Sequence, residues 1–214
     1  MQESQASVER GNVQVEEAQA AVKRGRGRRP AAQVRQAILE AAGAMLFEGR
    51  LTEITFEKVA ARAGASKMTL YKWWPSPGAL ALEAYFAAVE DTLAFSDTGD
   101  IERDLTAQLH AFVRLLTEEH AGRVIAQLVG AAQTDPDLAS AMATTYTRPR
   151  RQLAVERLGR ARDCGQIRPD VDLEVVVDQL WGACYHRLLL PDQPLDVAFT
   201  DALLRNVLRG IQAT

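Results

Sequence analysis

The sequence predicts an all-α protein with about nine helices, in which a small N-terminal helix-turn-helix head precedes a larger helical bundle. Three observations predict this fold. Two short apolar helical patterns meet at a glycine, Gly64, near the front of the chain. Apolar residues spaced three and four apart fill most of the rest, and no alternating segment rich in Val, Ile and Thr follows Asp100.

Charge is distributed unevenly along this chain, whose formal net charge is −3. Residues 23–75 carry eleven basic and four acidic side chains, whereas residues 76–214 carry thirteen basic and twenty acidic ones. The positive charge therefore lies in the segment that holds the glycine-linked helix pair. A basic segment that contains such a pair favours binding to nucleic acid.

Composition places the chain among cytoplasmic globular proteins. It is 47% hydrophobic and 25% charged, and no apolar run approaches the roughly 20 residues that cross a membrane. Its only two cysteines, Cys164 and Cys184, do not make a disulfide framework. We expect a protein that stays in the cytoplasm and has no membrane partner.

Residues 1–29 are predicted to be a disordered tail that ends in a basic arm. The run Lys23–Arg29 holds five cations and two glycines. Such runs are often no more than solvated, disordered segments. In front of a DNA-binding head, an arm that follows phosphates or enters the minor groove is the better interpretation, and Arg26, Arg28 and Arg29 are its candidate contacts.

The head, residues 30–76, begins with a scaffold helix from Pro30 to about Glu48. Thr55 can then cap a short second helix, and Gly64 ends that helix by taking a left-handed conformation. Ser66 can cap a third helix directly afterwards. This order of signals predicts a helix-turn-helix unit.

The third helix, Lys67 to Lys72, is predicted to bury Leu70 and to expose its other side chains. A short exposed helix held by a partner helix has the dimensions to enter a major groove, where Met68 can meet a thymine methyl group. Lys67 can equally reach a phosphate. The head residues predicted to contact bases or the DNA backbone are Thr55, Ser66, Lys67, Met68, Thr69, Tyr71, Lys72 and Trp73.

A spaced set of residues from Ile38 to Leu80 resembles the DNA-binding module of TetR/AcrR-type bacterial transcriptional repressors. The matching positions are Ile38, Ala41, Ala42, Leu46, Phe47, Gly49, Thr55, Val59, Ala60, Ala63, Gly64, Ser66, Thr69, Leu70, Tyr71, Pro75, Ser76 and Leu80. The resemblance implies a homodimer of all-helical subunits that binds a double-stranded DNA operator, and a body in which a small molecule releases that operator. Trp73 stands where the family often has His, so it either donates its indole N–H to a phosphate or packs against a neighbour.

The body, residues 77–214, is predicted to sense a ligand and to dimerise. Its predicted helices run from Pro77 to about Phe95, from Ile101, from about Ala121 to Ala132, from Pro136 toward Arg162, from about Leu173 to Leu190 and from Leu195 to Ile211. Ser76 can cap the first of these, which links head and body. Pro149 should kink or break the fourth near residues 147–148.

The last two helices are the most apolar part of the chain, which predicts half of a four-helix dimer interface. Burial inside the subunit must nevertheless take part of each apolar stripe. The candidate interface residues are Leu180, Cys184, Leu188, Phe199, Leu203 and Val207.

A cavity for a small, mostly apolar effector is predicted among the body helices that begin near Ile101, Pro136 and Leu173. Its candidate lining residues are Phe112, Leu116, Met142, Tyr146, Trp181 and Tyr185. Ordinary core packing explains each of these side chains equally well. His186 and Arg187 are candidate polar contacts, either with the ligand or across the dimer.

The motifs do not predict an enzyme. The three histidines are far apart in the sequence, no catalytic or metal-ligand spacing is present, and we expect no metal and no cofactor. Two alternatives stay open for a DNA-binding regulator. One is a ligand-independent protein with a fully packed body, and the other is a thiol-redox switch through Cys164 or Cys184.

Overall fold

The computed structural model describes residues 29–90, 95–118 and 120–212, and within these ranges the chain forms helices and no strand. There are nine helices in these ranges when segments joined by π-helical turns are counted as one, so the predicted all-α fold is confirmed. The residues from Arg35 onward form one compact unit. None of the described helices is both long and apolar enough to cross a bilayer.

The front of the chain forms four helices. They are α1 (Ala31–Glu48), α2 (Phe56–Ala63), α3 (Lys67–Trp73) and α4 (Pro77–Val89). A 3₁₀ turn, Leu51–Glu53, lies between α1 and α2. The predicted linking helix extends to Phe95, but α4 ends at Val89, and residues 91–94 lie outside the described ranges.

The body forms five more helices. They are α5 (Ile101–Glu118), α6 (Ala121–Ala132), α7 (Pro136–Ala141, Met142–Thr147 and Arg148–Asp163), α8 (Leu173–Val177, Asp178–Gly182 and Ala183–Leu189) and α9 (Val197–Ile211). The middle segments of α7 and α8 are π-helical turns.

Local capping explains where the front helices begin and end. Thr55, Ser66 and Ser76 are the N-caps of α2, α3 and α4, and each hydroxyl accepts a hydrogen bond of 3.2–3.3 Å from the backbone N–H three residues later. Gly64 ends α2 with a φ of 61°, a conformation that costs glycine little. The predicted caps are therefore confirmed.

Pro149 lies two residues after the π-helical turn of α7. Proline has no N–H, and its ring clashes with the carbonyl four residues earlier in a regular α-helix. A wider turn before it relieves that clash, so the helix continues past Pro149 by way of the π-helical turn Met142–Thr147, where a kink or break near residues 147–148 was predicted. The turn Asp178–Gly182 in α8 has no proline beside it and no counterpart among the sequence predictions.

The linking helix α4 is buried on nearly all sides. Leu80, Ala81 and Leu82 are consecutive and none of them is exposed, a pattern of a helix surrounded by other elements. In this unit α4 packs against α6 and α7. A displacement of the body helices therefore acts directly on α4.

A buried ion pair joins α5 to α7. The guanidinium of Arg157 donates to the Asp104 carboxylate at 2.8 Å and 2.5 Å, and both side chains are almost completely buried. The hydroxyl of Thr98 donates to the same carboxylate at 2.7 Å. Burial acts to raise the pKa of Asp104, but the hydrogen bonds from Thr98 and Arg157 outweigh it and hold the pKa below its usual value.

Candidate nucleic-acid interface and body cavity

The third helix has one inward side chain and several outward ones. Leu70 has no exposed surface, whereas Met68 is 75% exposed and Tyr71 is 54% exposed. Lys67 and Lys72 are also exposed, and Thr69 is half-buried. Side chains as exposed as Met68 and Tyr71 contribute little buried area to the fold, so this face of α3 is accessible to a partner.

Tyr71 is held in place by the helix behind it. Its ring meets the buried ring of Phe56 in α2 edge to face, with centroids 4.7 Å apart. The ammonium of Lys67 lies 5.7 Å from the Tyr71 ring centroid and forms an ion pair with Glu57. The aromatic ring is therefore held in one orientation by the protein itself, while the Lys67 ammonium is paired with a carboxylate of its own chain.

The two capping residues of the candidate interface already use part of their hydrogen-bonding capacity. The Ser66 and Thr69 hydroxyl oxygens are 3.1 Å apart, and the Thr55 hydroxyl accepts from the backbone of Lys58. A hydroxyl has one donor and two acceptor sites, so Thr55 can still donate to a phosphate oxygen. Of Ser66 and Thr69 only one can do so, because one hydroxyl of that pair donates to the other.

The adjacent tryptophans differ in their surroundings. Trp74 is buried, and its indole N–H donates to Glu83 at 2.7 Å, which fastens α3 to α4. Trp73 is half-buried and lies edge-on against Trp74 at 5.7 Å. Of the two roles expected for Trp73, the packing contact is present, and part of its ring remains accessible.

Of the predicted arm contacts, Arg29 is described and exposed, whereas Arg26 and Arg28 lie outside the described residues. The head holds α2 against α1 through a bidentate ion pair between Arg62 and Glu48, with distances of 2.7 Å and 2.8 Å. The hydrogen bond from Arg62 lowers the pKa of Glu48. Arg62 is thereby occupied within the protein.

The body contains a cavity of about 210 Å³. Four of the six predicted ligand residues line it, namely Phe112 from α5, Tyr146 from α7, and Trp181 and Tyr185 from α8. Leu116 is buried and Met142 is half-buried, but neither is part of the lining. Both π-helical turns contribute to the wall, since Tyr146 belongs to one and Trp181 to the other.

The cavity has a small polar group set in an apolar wall. The hydroxyl oxygens of Tyr146 and Tyr185 are 3.4 Å apart, and burial raises the pKa of both. Gln108, Arg150, Arg151 and Asp178 also line the cavity and were not among the sequence candidates. Helical spacing points to three of them: Arg150 follows Tyr146 by four residues, Gln108 precedes Phe112 by four, and Asp178 precedes Trp181 by three.

Tyr146 also touches the linking helix. Its ring stacks on Phe86 of α4 with centroids 3.6 Å apart and planes inclined by 11°. The side chain of Tyr146 therefore lines the cavity and also contacts α4, the helix that links the head to the body.

Two predicted polar candidates lie away from the cavity. Arg187 donates to the Pro194 carbonyl, and its guanidinium lies 3.7 Å from the Phe199 ring centroid. His186 is exposed. Arg187 therefore shapes the turn between α8 and α9.

The predicted dimer residues divide into two groups. Leu180 and Cys184 have no exposed surface within the single subunit, so they serve its own core. Leu188, Phe199, Leu203 and Val207 are partly exposed. Leu189 and Leu190, which are 40% and 58% exposed, extend this apolar surface.

Comparison with known proteins matches both the head and the body. A family model of the tetracyclin repressor-like C-terminal domain matches residues 95–207. The HTH-type transcriptional regulator YdeS of Bacillus subtilis is 34% identical over 90% of this chain and 96% of that protein. The DNA-binding transcriptional repressor TetR of Mycobacteroides abscessus is 30% identical over 80% of this chain and 90% of that protein. Among solved structures, the TetR family transcription regulator SCO0332 is 58% identical and covers 83% of this chain and 98% of its own, with a TM-score of 0.77.

Proposed function

The chain belongs to the TetR family of transcriptional regulators, and on that premise we propose that it is a homodimeric repressor that binds a palindromic operator and leaves it when a small, mostly apolar effector binds. The proposal of DNA binding is supported by the outward face of α3. Met68 and Tyr71 are exposed there, on a helix anchored by the fully buried Leu70.

We assign the DNA contacts by reach and chemistry. Met68, Thr69, Tyr71 and Lys72 face the base edges, while Lys67 reaches either a base or a phosphate. The remaining head candidates, Thr55, Ser66 and Trp73, contact the sugar-phosphate backbone of the DNA. The basic arm with Arg26, Arg28 and Arg29 adds affinity with little sequence preference.

Two heads are needed to read a palindrome. Helix-turn-helix dimers place their reading helices about 34–36 Å apart, so that both enter the major groove on one side of the duplex. The partly exposed apolar residues of α8 and α9 supply a surface for such pairing. They are Leu188, Phe199, Leu203 and Val207.

The release mechanism uses the position of α4. A ligand in the 210 Å³ cavity touches Tyr146, and Tyr146 stacks on Phe86 of α4. Displacement of that stack moves α4, and with it the head to which Trp74 and Glu83 fasten α4. The two heads then lose the separation that successive major grooves require.

The two alternative regulators are less well supported. Burial raises the pKa of the Cys184 thiol to about 12, so little reactive thiolate forms there at neutral pH. Cys164 is exposed and lies just after α7, away from the described cavity lining. A ligand-independent protein would have a packed body, which the cavity argues against.

Selection of bound DNA from a random pool tests the proposal. We expect enrichment of a palindrome whose half-sites are one helical turn apart, because a symmetric dimer presents two identical helices. Met68→Ala should change the enriched bases, whereas Arg114→Ala on the exposed surface of α5 should not. Enrichment of one unpaired site, or of no sequence at all, would contradict the homodimeric repressor.

A further inference from the structure

The cavity is small and its walls are largely aromatic. Ring side chains reach it from four parts of the body, namely Phe95, Phe112, Tyr146 and the pair Trp181 and Tyr185 on α8. Its volume of about 210 Å³ is below the range of about 300–1,000 Å³ that is usual for drug-sized ligands. It exceeds the roughly 150 Å³ of an engineered cavity that holds benzene. One ring, or two fused rings, fit these dimensions.

Ring-shaped ligands suit this wall better than flexible ones. Aromatic rings attract each other in offset or edge-to-face arrangements with centroids about 4.5–7 Å apart. Phe112 and Tyr185 already adopt such a geometry, with centroids 5.7 Å apart. A flat ligand can extend that arrangement, whereas an alkyl chain gains only buried area and loses rotational freedom on binding.

The polar end of the cavity is the hydroxyl pair of Tyr146 and Tyr185. Their oxygens are 3.4 Å apart, longer than the usual 2.7–2.8 Å between two hydroxyl oxygens. A ligand oxygen placed beside them can therefore make a shorter bond with one hydroxyl than the pair makes internally. Each tyrosine offers both a donor and an acceptor, which suits a hydroxyl or a carbonyl group.

The charges around the cavity disfavour a cation. The carboxylates nearest to Arg151 are those of Glu174 and Asp178, and both form ion pairs with it, the latter at 2.5 Å. Arg150 lines the cavity as well, and its charge acts to lower the pKa of Tyr146. The carboxylate that lines the cavity, Asp178, is therefore already paired with Arg151, and a ligand ammonium would have no carboxylate to itself.

We propose that the cavity binds a compact aromatic molecule of one or two fused rings, neutral or anionic, whose oxygen bonds to the Tyr146–Tyr185 hydroxyl pair. The ligand class rests on the proposed function, in which this cavity is the effector site. Tyr146 and Tyr185 select the oxygen, and the rings of Phe112 and Trp181 select the flat apolar part.

Four probes of matched size separate these features. 1-Naphthalenemethanol has both the rings and the oxygen, and 1-ethylnaphthalene replaces the oxygen by a methyl group. 1-Naphthalenemethylammonium replaces it by a cation, and 1-undecanol keeps the oxygen on a flexible chain. Calorimetric titration of the full chain without DNA measures each affinity.

We expect 1-naphthalenemethanol to bind most tightly. Because it lacks one neutral hydrogen bond, 1-ethylnaphthalene should bind roughly two- to tenfold more weakly. The ammonium compound should bind about tenfold more weakly or worse, because a buried charge without a partner is costly. If 1-undecanol binds as well as the naphthalene alcohol, or if none of the four probes binds, the assigned ligand class is wrong.

Phenylalanine variants test whether the ligand oxygen bonds to the hydroxyls of Tyr146 and Tyr185. Tyr146→Phe and Tyr185→Phe keep the rings and remove the hydroxyls. Each should therefore lower the affinity for 1-naphthalenemethanol but leave the affinity for 1-ethylnaphthalene unchanged. Tyr71→Phe is the matched control, because Tyr71 lies on α3 and does not line the cavity. Equal affinities of the alcohol for wild type and both cavity variants would overturn recognition by the hydroxyl pair.

Operator binding by the same samples keeps the two proposals separate. A protein that binds a selected palindrome but none of the probes retains the repressor assignment and loses the ligand class. A protein that binds 1-naphthalenemethanol in the expected order but selects no DNA has the ligand site without the proposed function.

Discussion

The ion pairs within the head lie at the surface, whereas the body also contains a buried one. In the head, Lys67 and Glu57 are 42% and 63% exposed, and the bidentate pair of Arg62 with Glu48 is similarly accessible. In the body, the charged groups of Arg157 and Asp104 are 2% and 0% exposed. Exposed pairs contribute little to stability and exchange partners readily, whereas a buried pair becomes costly once one member is lost. The exposed Lys67 can therefore change partners at little cost, whereas the buried pair holds α5 against α7.

The largest effect that follows from this comparison concerns the buried pair. Asp104→Asn leaves the buried Arg157 charge with only the half-exposed Asp97 carboxylate, 3.4 Å from its Nε, which should lower the free energy of unfolding by up to about 3–5 kcal/mol. Urea denaturation followed by circular dichroism measures the loss. Glu102→Gln, which changes an exposed carboxylate of the same helix, is the control and should cost far less. A variant with wild-type stability would mean that Asp97 is a sufficient partner for Arg157.

The same pair predicts a pH dependence. Because the folded pKa of Asp104 is lowered, the unfolded state binds the proton more readily. The pair therefore stabilises the fold above the unfolded aspartate pKa of about 3.9, and this contribution is lost as the pH falls through the lower, folded value. The stability difference between wild type and Asp104→Asn should narrow in acid. A stability difference that stays constant with pH would contradict a lowered pKa of Asp104 in the folded state.

Tyr71→Ala should weaken operator binding by about 1–3 kcal/mol through loss of its hydroxyl and of the ring that rests on Phe56. Fluorescence anisotropy with a labelled operator measures the change. Tyr71→Phe keeps the ring and separates the two contributions. Sedimentation should still show dimers, because Tyr71 is 54% exposed in the subunit. Dissociation into monomers would assign the residue to the fold.

Phe86→Leu tests the connection between the two regions. Leucine keeps an apolar side chain on α4 but removes the ring that stacks on Tyr146. We expect the effect of bound 1-naphthalenemethanol on operator affinity to shrink by roughly 0.5–2 kcal/mol, a usual size for mutations that alter coupling. Affinity for the operator alone should be unchanged. Full release by the ligand in this variant would show that the stack carries no coupling.

Deletion of residues 1–29 should weaken DNA binding and reduce its salt dependence. Each lost phosphate contact should remove roughly 0.9 from the slope of log affinity against log salt concentration. Measurement at several salt concentrations on both operator and unrelated DNA should show similar losses, because the arm follows the backbone. An unchanged slope would show that Arg26, Arg28 and Arg29 do not contact phosphates.

The smallest effect belongs to the exposed pair of the head. Glu48→Gln retains a hydrogen-bond acceptor for Arg62 but removes the charge, so it should lower the free energy of unfolding by about 0–1 kcal/mol. Denaturation of this variant beside Asp104→Asn compares the two environments directly. Similar losses in the two variants would remove the contrast between head and body.

Local signals made much of the fold predictable from the sequence. Thr55, Gly64 and Ser66 specify the ends of α2 and α3 through hydrogen bonds and backbone preferences within a few residues. These interactions depend on neighbours in the chain, so the sequence contains the information directly. The same holds for Ser76, which starts α4.

The candidate cavity was less predictable, because its members come together only in three dimensions. An apolar stripe shows that Leu180, Cys184, Leu116 and Phe112 are buried, but it does not show what each one faces. Leu180 and Cys184 face their own subunit, and only Phe112 reaches the cavity. Arg151, by contrast, is not three or four residues from any predicted lining residue, so helical spacing does not distinguish it from surface residues.

The π-helical turn Met142–Thr147 fixes a rotational register in α7. Such a turn holds one residue more than an α-helical turn, and each residue of a helix advances the side chains by about 100°. Shortening this turn by a single residue would restore a regular helix and swing Arg150 and everything after it around the axis by about that angle. Arg157 would then point away from Asp104, so the length of this one turn determines whether the ion pair in the middle of the body can form.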